Sequence, residues 1–382
     1  VGSGLWFTVS TGLVQLRALP EMVRLLAGDL GRRPSGRKAI SSFQAFCVST
    51  ASRVGVGNIA GVAIAIVTGG PGAVFWMWVI AFIGTATGFV ESTLAQIYKI
   101  PRGHGLFHGG PAYYIQNALG QPAVAKLFAV LISVTFGLIY VSVQANTIAL
   151  SMEKAFGIDT WVMGGVLAVL SGVVIFGGIQ RVANFATLLV PVMAGIYLLI
   201  ALITVILYID QVPAMFALIL HDAFSPQAAV GGGIGTAILT GIRRGLFSNE
   251  AGEGSIPNAA ATANVTHPVK QGLVQAFGVY VDTWIVCSAT AFIVLLTGQY
   301  VIGGDTTGIA LAQDSLASVF GPWASSLLAV LIFLFAFSSV VGNYYYGEIN
   351  IHFFGGNTER ALFVYRLGVV AMVFFGCIAA LG

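Results

Sequence analysis

The stretch GTAILTGIRRGLFSNEAGEGSIPNAAAT, Gly235 to Thr262, decides the fold. Its two ends read as parts of a membrane-crossing helix, and its middle, Ser248 to Pro257, does not. Glycine costs a helix interior about 1 kcal/mol, and proline removes a backbone hydrogen bond. In lipid each unsatisfied backbone group is expensive, so a non-helical segment at that depth has to be buried in protein or line a watery cavity. A second stretch has the same character: FCVSTASRVGVGNIAGVAIAIV, Phe46 to Val67, is interrupted at Gly55, Gly57 and Asn58. Discontinuous helices in corresponding positions of two repeats mark a mid-membrane binding site. Their half-helix N-termini favour anions and their unwound carbonyls take Na⁺. Each break falls in the first helix of a five-helix group, which predicts inverted repeats beginning at about residues 41 and 234.

Composition agrees. Of 382 residues, 57% are hydrophobic and only 8% are charged, 17 basic and 14 acidic, with a mean hydropathy of +0.91. A soluble domain carries about 25% charged residues, so a cytosolic enzyme, a nucleic-acid binder and a disordered chain are excluded. The net charge of +3 is scattered over short loops. Cys47, Cys287 and Cys377 are odd in number and lie in apolar runs, where they read as small buried hydrophobes, with no disulfide framework. The chain begins at Val1 and stops in the apolar run ending Leu381-Gly382, which reads as a sequence cut at both ends.

Spans of about 20 apolar residues are expected at 1–16 (truncated), 41–68, 72–99, 123–151, 160–180, 183–208, 234–262, 269–298, 323–352 and 361–381. RALPEMVR (17–24) and GGPAYYIQNAL (109–119) read as short interfacial helices. Gly84 and Gly88 form a GxxxG that reads as close helix packing. If residues 17–40 are cytoplasmic, alternation places thirteen basic residues on that side and only Lys154 on the other, as the positive-inside rule requires. His104 and His108 have the i, i+4 spacing of a metal pair, but Gly103, Gly105 and Gly109 flank them, so they read as a solvated loop. Nothing matches HExxH or a nucleophile elbow, and the chain is not expected to be an enzyme.

The run GLFSNEAGEGSIPNAAATANVTHPVKQG (Gly245 to Gly272) resembles the signature of the alanine or glycine:cation symporter family. ASRVGVGNIAGVA (Ala51 to Ala63), VQANTIA (Val143 to Ala149) and FSSVVGNYYYGE (Phe337 to Glu348) resemble it too. The family belongs to the amino acid–polyamine–organocation superfamily. The resemblance implies an all-α polytopic membrane protein of the leucine-transporter type, with 5+5 inverted repeats and one extra N-terminal helix. In these terms the chain is one transporter domain. Residues 1–40 are the extra and interfacial helices, 41–210 the first repeat and 224–382 the second, its last core helix absent.

An amino-acid carboxylate suits free backbone N–H groups at a half-helix start, here around Gly55, Gly57, Asn58 and Ile59. The ammonium needs acceptors near the second break, such as Gly245, Phe247, Ser248 and Asn249. The resemblance places Asn58, Gln144, Phe247, Asn249 and Asn343 in the substrate site. It also implies a Na⁺ site from the carbonyls of Ala51 and Val54 with the hydroxyls of Ser338 and Ser339, to which Phe335 could add its carbonyl. Ionisable groups at membrane depth usually face the interior, so Arg53 or Arg244 is expected to form a gating ion pair with Glu250 or Glu253. The implied activity is Na⁺-driven uptake of a small neutral amino acid, alanine or glycine, by alternating access in the cell (inner) membrane. Nothing is chemically changed, so no cofactor is expected. The alternatives are H⁺ coupling through Glu250 or Glu253, a preference for glutamine or serine, and a channel, against which the isolated breaks argue.

Overall fold

The computed structural model describes residues 1–29, 39–103, 105–224, 233–355 and 358–379. The first broken helix begins where a cap is available. Ser41 Oγ accepts from the N–H of Gln44, and Gln44 Oε1 accepts from the N–H of Ser41, at 3.0 and 2.9 Å. This reciprocal pair satisfies two donors that a helix start leaves orphaned. The helix runs Ser42–Arg53, opens at Val54, and resumes in the wide turns of Gly57–Gly61 and the regular turns of Val62–Gly69. Its halves meet at 53°. The second broken helix runs Gly233–Asn249 and Ile256–Thr262. Between them Glu250, Gly252 and Gly254 take φ of 55°, 88° and 76°. Glycine adopts such angles freely, whereas at Glu250 they persist only because surrounding bonds over-determine them.

Among the described residues six helices are long and apolar enough to cross a membrane: Gly72–Ile97, Pro122–Phe156, Gly178–Leu207, Pro268–Thr297, Trp323–Phe353 and Thr358–Ile378. The first broken pair makes a seventh. Three expected spans fall short of that test. The one at 1–16 is two short helices, Gly2–Ser10 and Val14–Arg17, separated by a turn in which Gly12 and Leu13 have positive φ. Thr160–Ile175 has 16 residues, and the second broken helix is divided by its own break. Burial sorts the helices. Trp323–Phe353 and Pro268–Thr297 are 67% and 72% buried in their apolar windows, whereas Gly178–Leu207 and Thr358–Ile378 are only 28% buried. The first two support the centre and the last two face outward. Trp323–Phe353 lies against the first broken helix, and Gly72–Ile97 lies against the second.

RALPEMVR (17–24) is split, Arg17 ending Val14–Arg17 and Leu19 to Arg24 opening the helix Leu19–Asp29, and residues 109–119 contain the helix Pro111–Leu119. Two helices between spans, Val212–Ala223 and Gly308–Phe320, were not anticipated, because 12 or 13 residues are too few to register as a span. Gly308–Phe320 rests on the second half of the first broken helix, Gly57–Gly69. On the basic side the two broken helices are tied together. Asn264 N–H donates to the Ile40 carbonyl at 2.8 Å, and Lys99 Nζ, just past Gly72–Ile97, donates to the Ala263 carbonyl at 2.7 Å and so ties that helix to the second broken one. The opposite side carries the exposed Lys154–Asp314 pair at 3.2 Å. His104 and the basic residues between 30 and 38 lie outside the described residues.

The expectation of a solvated loop around His108 is corrected. The segment pairs Ile100–Pro101 with Phe107–His108 and lies on the end of Trp323–Phe353, where Arg102 Nη2 donates to the His352 carbonyl at 2.8 Å. His108 is 3% exposed, with its ring 4.4 Å from that of His352. Burial, then the nearby His352 and Arg102, push His108 from 6.5 down to about 3. An unfolded chain binds this proton below pH 6.5 while the folded chain refuses it until about 3, so the term lowers stability as pH falls through that window. The melting temperature of purified protein should therefore fall more between pH 6.5 and 4 than that of His108→Gln. Parallel curves would refute the assignment.

Candidate functional site

Between the two breaks lies a narrow cavity lined by Ser52, Arg53, Gly57, Tyr140, Gln144, Phe247, Glu250 and Asn343. Its free space is on the scale of one water molecule. One wall is aromatic, with Tyr140 edge-on to Phe247 at 5.5 Å. The facing wall is polar. Ser52 Oγ lies 2.7 Å from Glu250 Oε1 and 2.6 Å from Asn343 Oδ1, and the other Glu250 oxygen accepts from Ser255 Oγ at 2.6 Å. Gln144 Oε1 accepts from the N–H of Val56 at 3.2 Å and so closes the first break from the side. Close approach sets the scale of the cavity. A Cβ on Gly342 would fall 2.7 Å from the backbone nitrogen of Ser52.

Gly57, Gln144, Phe247 and Asn343 thus line one cavity. Arg53 and Glu250, expected at a gate, line the same cavity but are not paired. The Arg53 guanidinium instead donates to the carbonyl and hydroxyl of Ser49, at 3.2 and 3.0 Å, and to Gln275 Oε1 at 3.1 Å. Among the described residues the ion pairs are Glu21–Arg24, Lys154–Asp314 and Glu348–Arg366. Arg244 and Glu253 are partly buried and belong to none of these.

Asn58, Ser248 and Asn249 form a second group, centred on Asp282 within the expected span 269–298. Asp282, buried in Pro268–Thr297, accepts from Asn58 Nδ2 at 2.7 Å, Ser248 Oγ at 2.8 Å and Thr283 Oγ1 at 2.9 Å. Asn58 Oδ1 in turn accepts from the N–H of Gly55 at 2.9 Å, and the Asn58 carbonyl accepts from Thr290 Oγ1 at 2.7 Å. Asn249 Nδ2 reaches Thr283 Oγ1 at 3.4 Å. One carboxyl group therefore ties the first break to the second by accepting from three side-chain donors. Glu91 is the other residue missed: its Oε1 accepts from the N–H of Gly252 at 3.3 Å. The one signal available for both was a carboxylate deep in an apolar run.

A third group lies against the start of the first break. Ser338 Oγ is 3.2 Å from the Ala51 carbonyl and 2.7 Å from that of Phe335, and Ser339 Oγ is 3.0 and 3.2 Å from the same two. Two hydroxyl protons face two carbonyls that can accept twice each, so this buried cluster has more lone pairs than donors. Such an oxygen-rich, donor-poor set suits a hard cation. Val54 is buried beside it, at the C-cap of Ser42–Arg53. Gly55 permits the arrangement, because a Cβ there would lie 2.2 Å from Ser339 Oγ.

Comparison with known proteins places this geometry. The model of the sodium:alanine symporter family matches residues 1–382. The chain is 53% identical over 379 residues to the amino-acid carrier protein AlsT of Bacillus subtilis, covering 99% of this chain and 80% of the relative. It is 52% identical over 376 residues to GlnT of the same organism, named a probable sodium/glutamine symporter, covering 98% and 78%. In fold it resembles MhsT, crystallised in complex with L-phenylalanine, with a TM-score of 0.64 at 14% identity over 90% of this chain and 80% of MhsT. The leucine-transporter type of helical membrane fold follows from that likeness, and transport instead of catalysis follows from the relatives. The chain is a multi-pass membrane protein belonging to the sodium:alanine symporter family.

Proposed function

We propose that the protein couples inward Na⁺ movement to uptake of a small neutral amino acid, alanine or glycine, by alternating access. The observation that carries this reading is the oxygen cluster of Ala51, Phe335, Ser338 and Ser339, placed directly against a break whose other side faces a polar cavity. Na⁺ bound there, with the Val54 carbonyl as a further ligand, holds the first broken helix against Trp323–Phe353. The amino acid then bridges the breaks, with Gly55, Gly57, Gln144 and Asn343 on one side and Phe247, Ser248 and Asn249 on the other. Asn58 acts through Asp282, which keeps the two breaks in register, because both its amide groups are already engaged.

In this reading residues 41–210 and 224–382 are the two inverted repeats, the membrane is the cell (inner) membrane, and residues 17–40 face the cytoplasm. The contacts joining Ile40 to Asn264 and Lys99 to Ala263 are the inner closure, and they must part for release. Arg53, Arg244, Glu250 and Glu253 are free of ion pairs with one another here, which leaves them available to pair when the broken helices move. H⁺ coupling through Glu250 is a second reading, supported by its place in the cavity wall.

Proteoliposomes separate the two readings. Radiolabelled alanine should enter under an imposed Na⁺ gradient at constant pH and should saturate. Uptake driven by a pH gradient without Na⁺ would replace Na⁺ with H⁺, and unsaturable flux would indicate a channel. Ser339→Ala removes one oxygen of the cluster and should raise the Na⁺ concentration for half-maximal uptake by about ten-fold, which corresponds to about 1.4 kcal/mol. Gly55→Ala should abolish Na⁺-dependent uptake, because its Cβ would press on Ser339 Oγ. Asp282→Asn places an N–H₂ among three donors and should reduce uptake by at least about ten-fold, the scale of one buried charge-assisted bond.

A further inference from the structure

We propose that the cavity between the interfacial helix Leu19–Asp29 and the start of Pro268–Thr297 binds the phosphate of an anionic phospholipid headgroup, and that the bound headgroup braces the inner closure. The cavity holds about 370 Å³, within the range of about 300–1,000 Å³ that small-molecule sites occupy. It shares no residue with the cavity between the breaks. Arg24 and Asp29 line it from the interfacial helix, Ser42 from the start of the first broken helix, and Thr266 and Lys270 from the stretch after the second. Several donors there lack partners among the described residues. Lys270 Nζ gives one hydrogen to Thr266 Oγ1 at 2.9 Å and belongs to none of the ion pairs, so two hydrogens remain. Arg24 turns Nε and Nη2 to the partly exposed Glu21 at 3.0 and 3.1 Å, which leaves Nη1. Gln271, fully buried, accepts from Ser42 Oγ, and its Nε2 has no partner. Asp29 is the carboxylate of the lining, but its Oδ2 accepts from the N–H of Phe43 at 2.7 Å, so it is already held by the backbone. A phosphate brings several acceptors on one centre, and its bonds to lysine and arginine are of the strong, charge-assisted kind.

Position points to a lipid as the source of that phosphate. Leu25, Val265 and Val274 complete the wall, so a ligand with carbon beside its phosphate fits better than a bare ion. In sequence the chain between Asp29 and Ala39 adds Arg32, Arg33, Arg37 and Lys38 and no acidic residue. Clustered basic residues at the cytoplasmic edge of a membrane protein attract anionic lipid. The consequence follows from what the cavity joins. Ser42 begins the first broken helix and Thr266 lies just after the second, the same two elements that the Asn264–Ile40 bond ties together. A headgroup held from both sides therefore favours the closed arrangement, because a ligand shifts an equilibrium toward the state it binds better. Binding couplings are reciprocal, so a lipid that keeps the inner side shut also strengthens Na⁺ binding from the outside. This second half rests on the symport reading above.

The test uses the purified full chain, delipidated in detergent, with melting temperature as the first readout. Dioctanoyl phosphatidylglycerol should raise it at concentrations at least about ten-fold lower than dioctanoyl phosphatidylcholine or inorganic phosphate, the scale of one charge-assisted hydrogen bond. Lys270→Gln and Arg24→Gln should each weaken the effect by about the same ten-fold. Lys126→Gln, which changes an exposed lysine outside the cavity, should leave it unchanged. Inorganic phosphate acting as strongly as the lipid overturns the headgroup, and an equal loss in Lys126→Gln overturns the cavity. The second readout is Na⁺-driven alanine uptake in proteoliposomes. In phosphatidylglycerol, Lys270→Gln should raise the half-maximal Na⁺ concentration by at least about five-fold, the low end of coupling between two sites. In phosphatidylcholine it should leave that concentration unchanged. The surface charge of the vesicles acts on wild type and variant alike, so it does not produce this difference. Lipid binding with no change in Na⁺ dependence overturns the brace. If no amino acid enters under any Na⁺ gradient, the symport reading fails and the brace with it, while the melting curves still decide the headgroup.

Discussion

Backbone that leaves the helical path inside a membrane has to find its hydrogen bonds elsewhere, and the centre of this protein is built around that requirement. At the first break the N–H groups of Gly55 and Val56 are met by Asn58 and Gln144. At the second, the N–H of Ala251 is met by Asn249 and that of Gly252 by Glu91. Asp282 then ties the two sets together through Asn58 and Ser248. Six polar side chains are thereby buried because the backbone beside them is irregular. They in turn hold that backbone in one shape, so the breaks are defined structures instead of loosened turns.

The same requirement explains the glycines. Gly55 and Gly342 allow the first broken helix and Trp323–Phe353 to approach until a Cβ on either would collide with Ser339 Oγ or the Ser52 backbone. That approach is what brings two hydroxyls onto the Ala51 carbonyl. Gly252 and Gly254 serve a different end, supplying positive φ so that the chain can turn between its helical halves. Close packing makes the oxygen cluster and permissive dihedrals make the cavity, and each depends on the absence of a side chain.

Much of this was legible beforehand. Low charge and long apolar runs indicate a membrane protein, and Gly55-Val56-Gly57-Asn58 and Ser248 to Pro257 locate the irregular backbone, because glycine, proline and polar residues have no cheap place inside a spanning helix. Motif resemblance grouped Asn58, Gln144, Phe247, Asn249 and Asn343, of which Gln144, Phe247 and Asn343 line one cavity while Asn58 and Asn249 lie with Asp282 and Thr283. His108 was misjudged because its burial depends on a two-residue strand pairing and on the end of a helix more than 240 residues away. Local spacing carries no trace of such a contact. Arg53 was expected to face a carboxylate because charge attracts charge, but Ser49 and Gln275 reach it first.

Sequence alone thus determined the class of protein, the places where its helices break and the residue types present at each break. Those follow from the cost of burying polar groups in lipid, which is paid locally and can be read locally. Which side chain meets which was decided by tertiary structure. Asp282 stands out in sequence only as a carboxylate inside an apolar run, and becomes the link between the breaks because Pro268–Thr297 packs against both of them. Partner choice depends on how distant helices are set side by side, and that arrangement minimises unsatisfied groups over the whole bundle, not over any one segment.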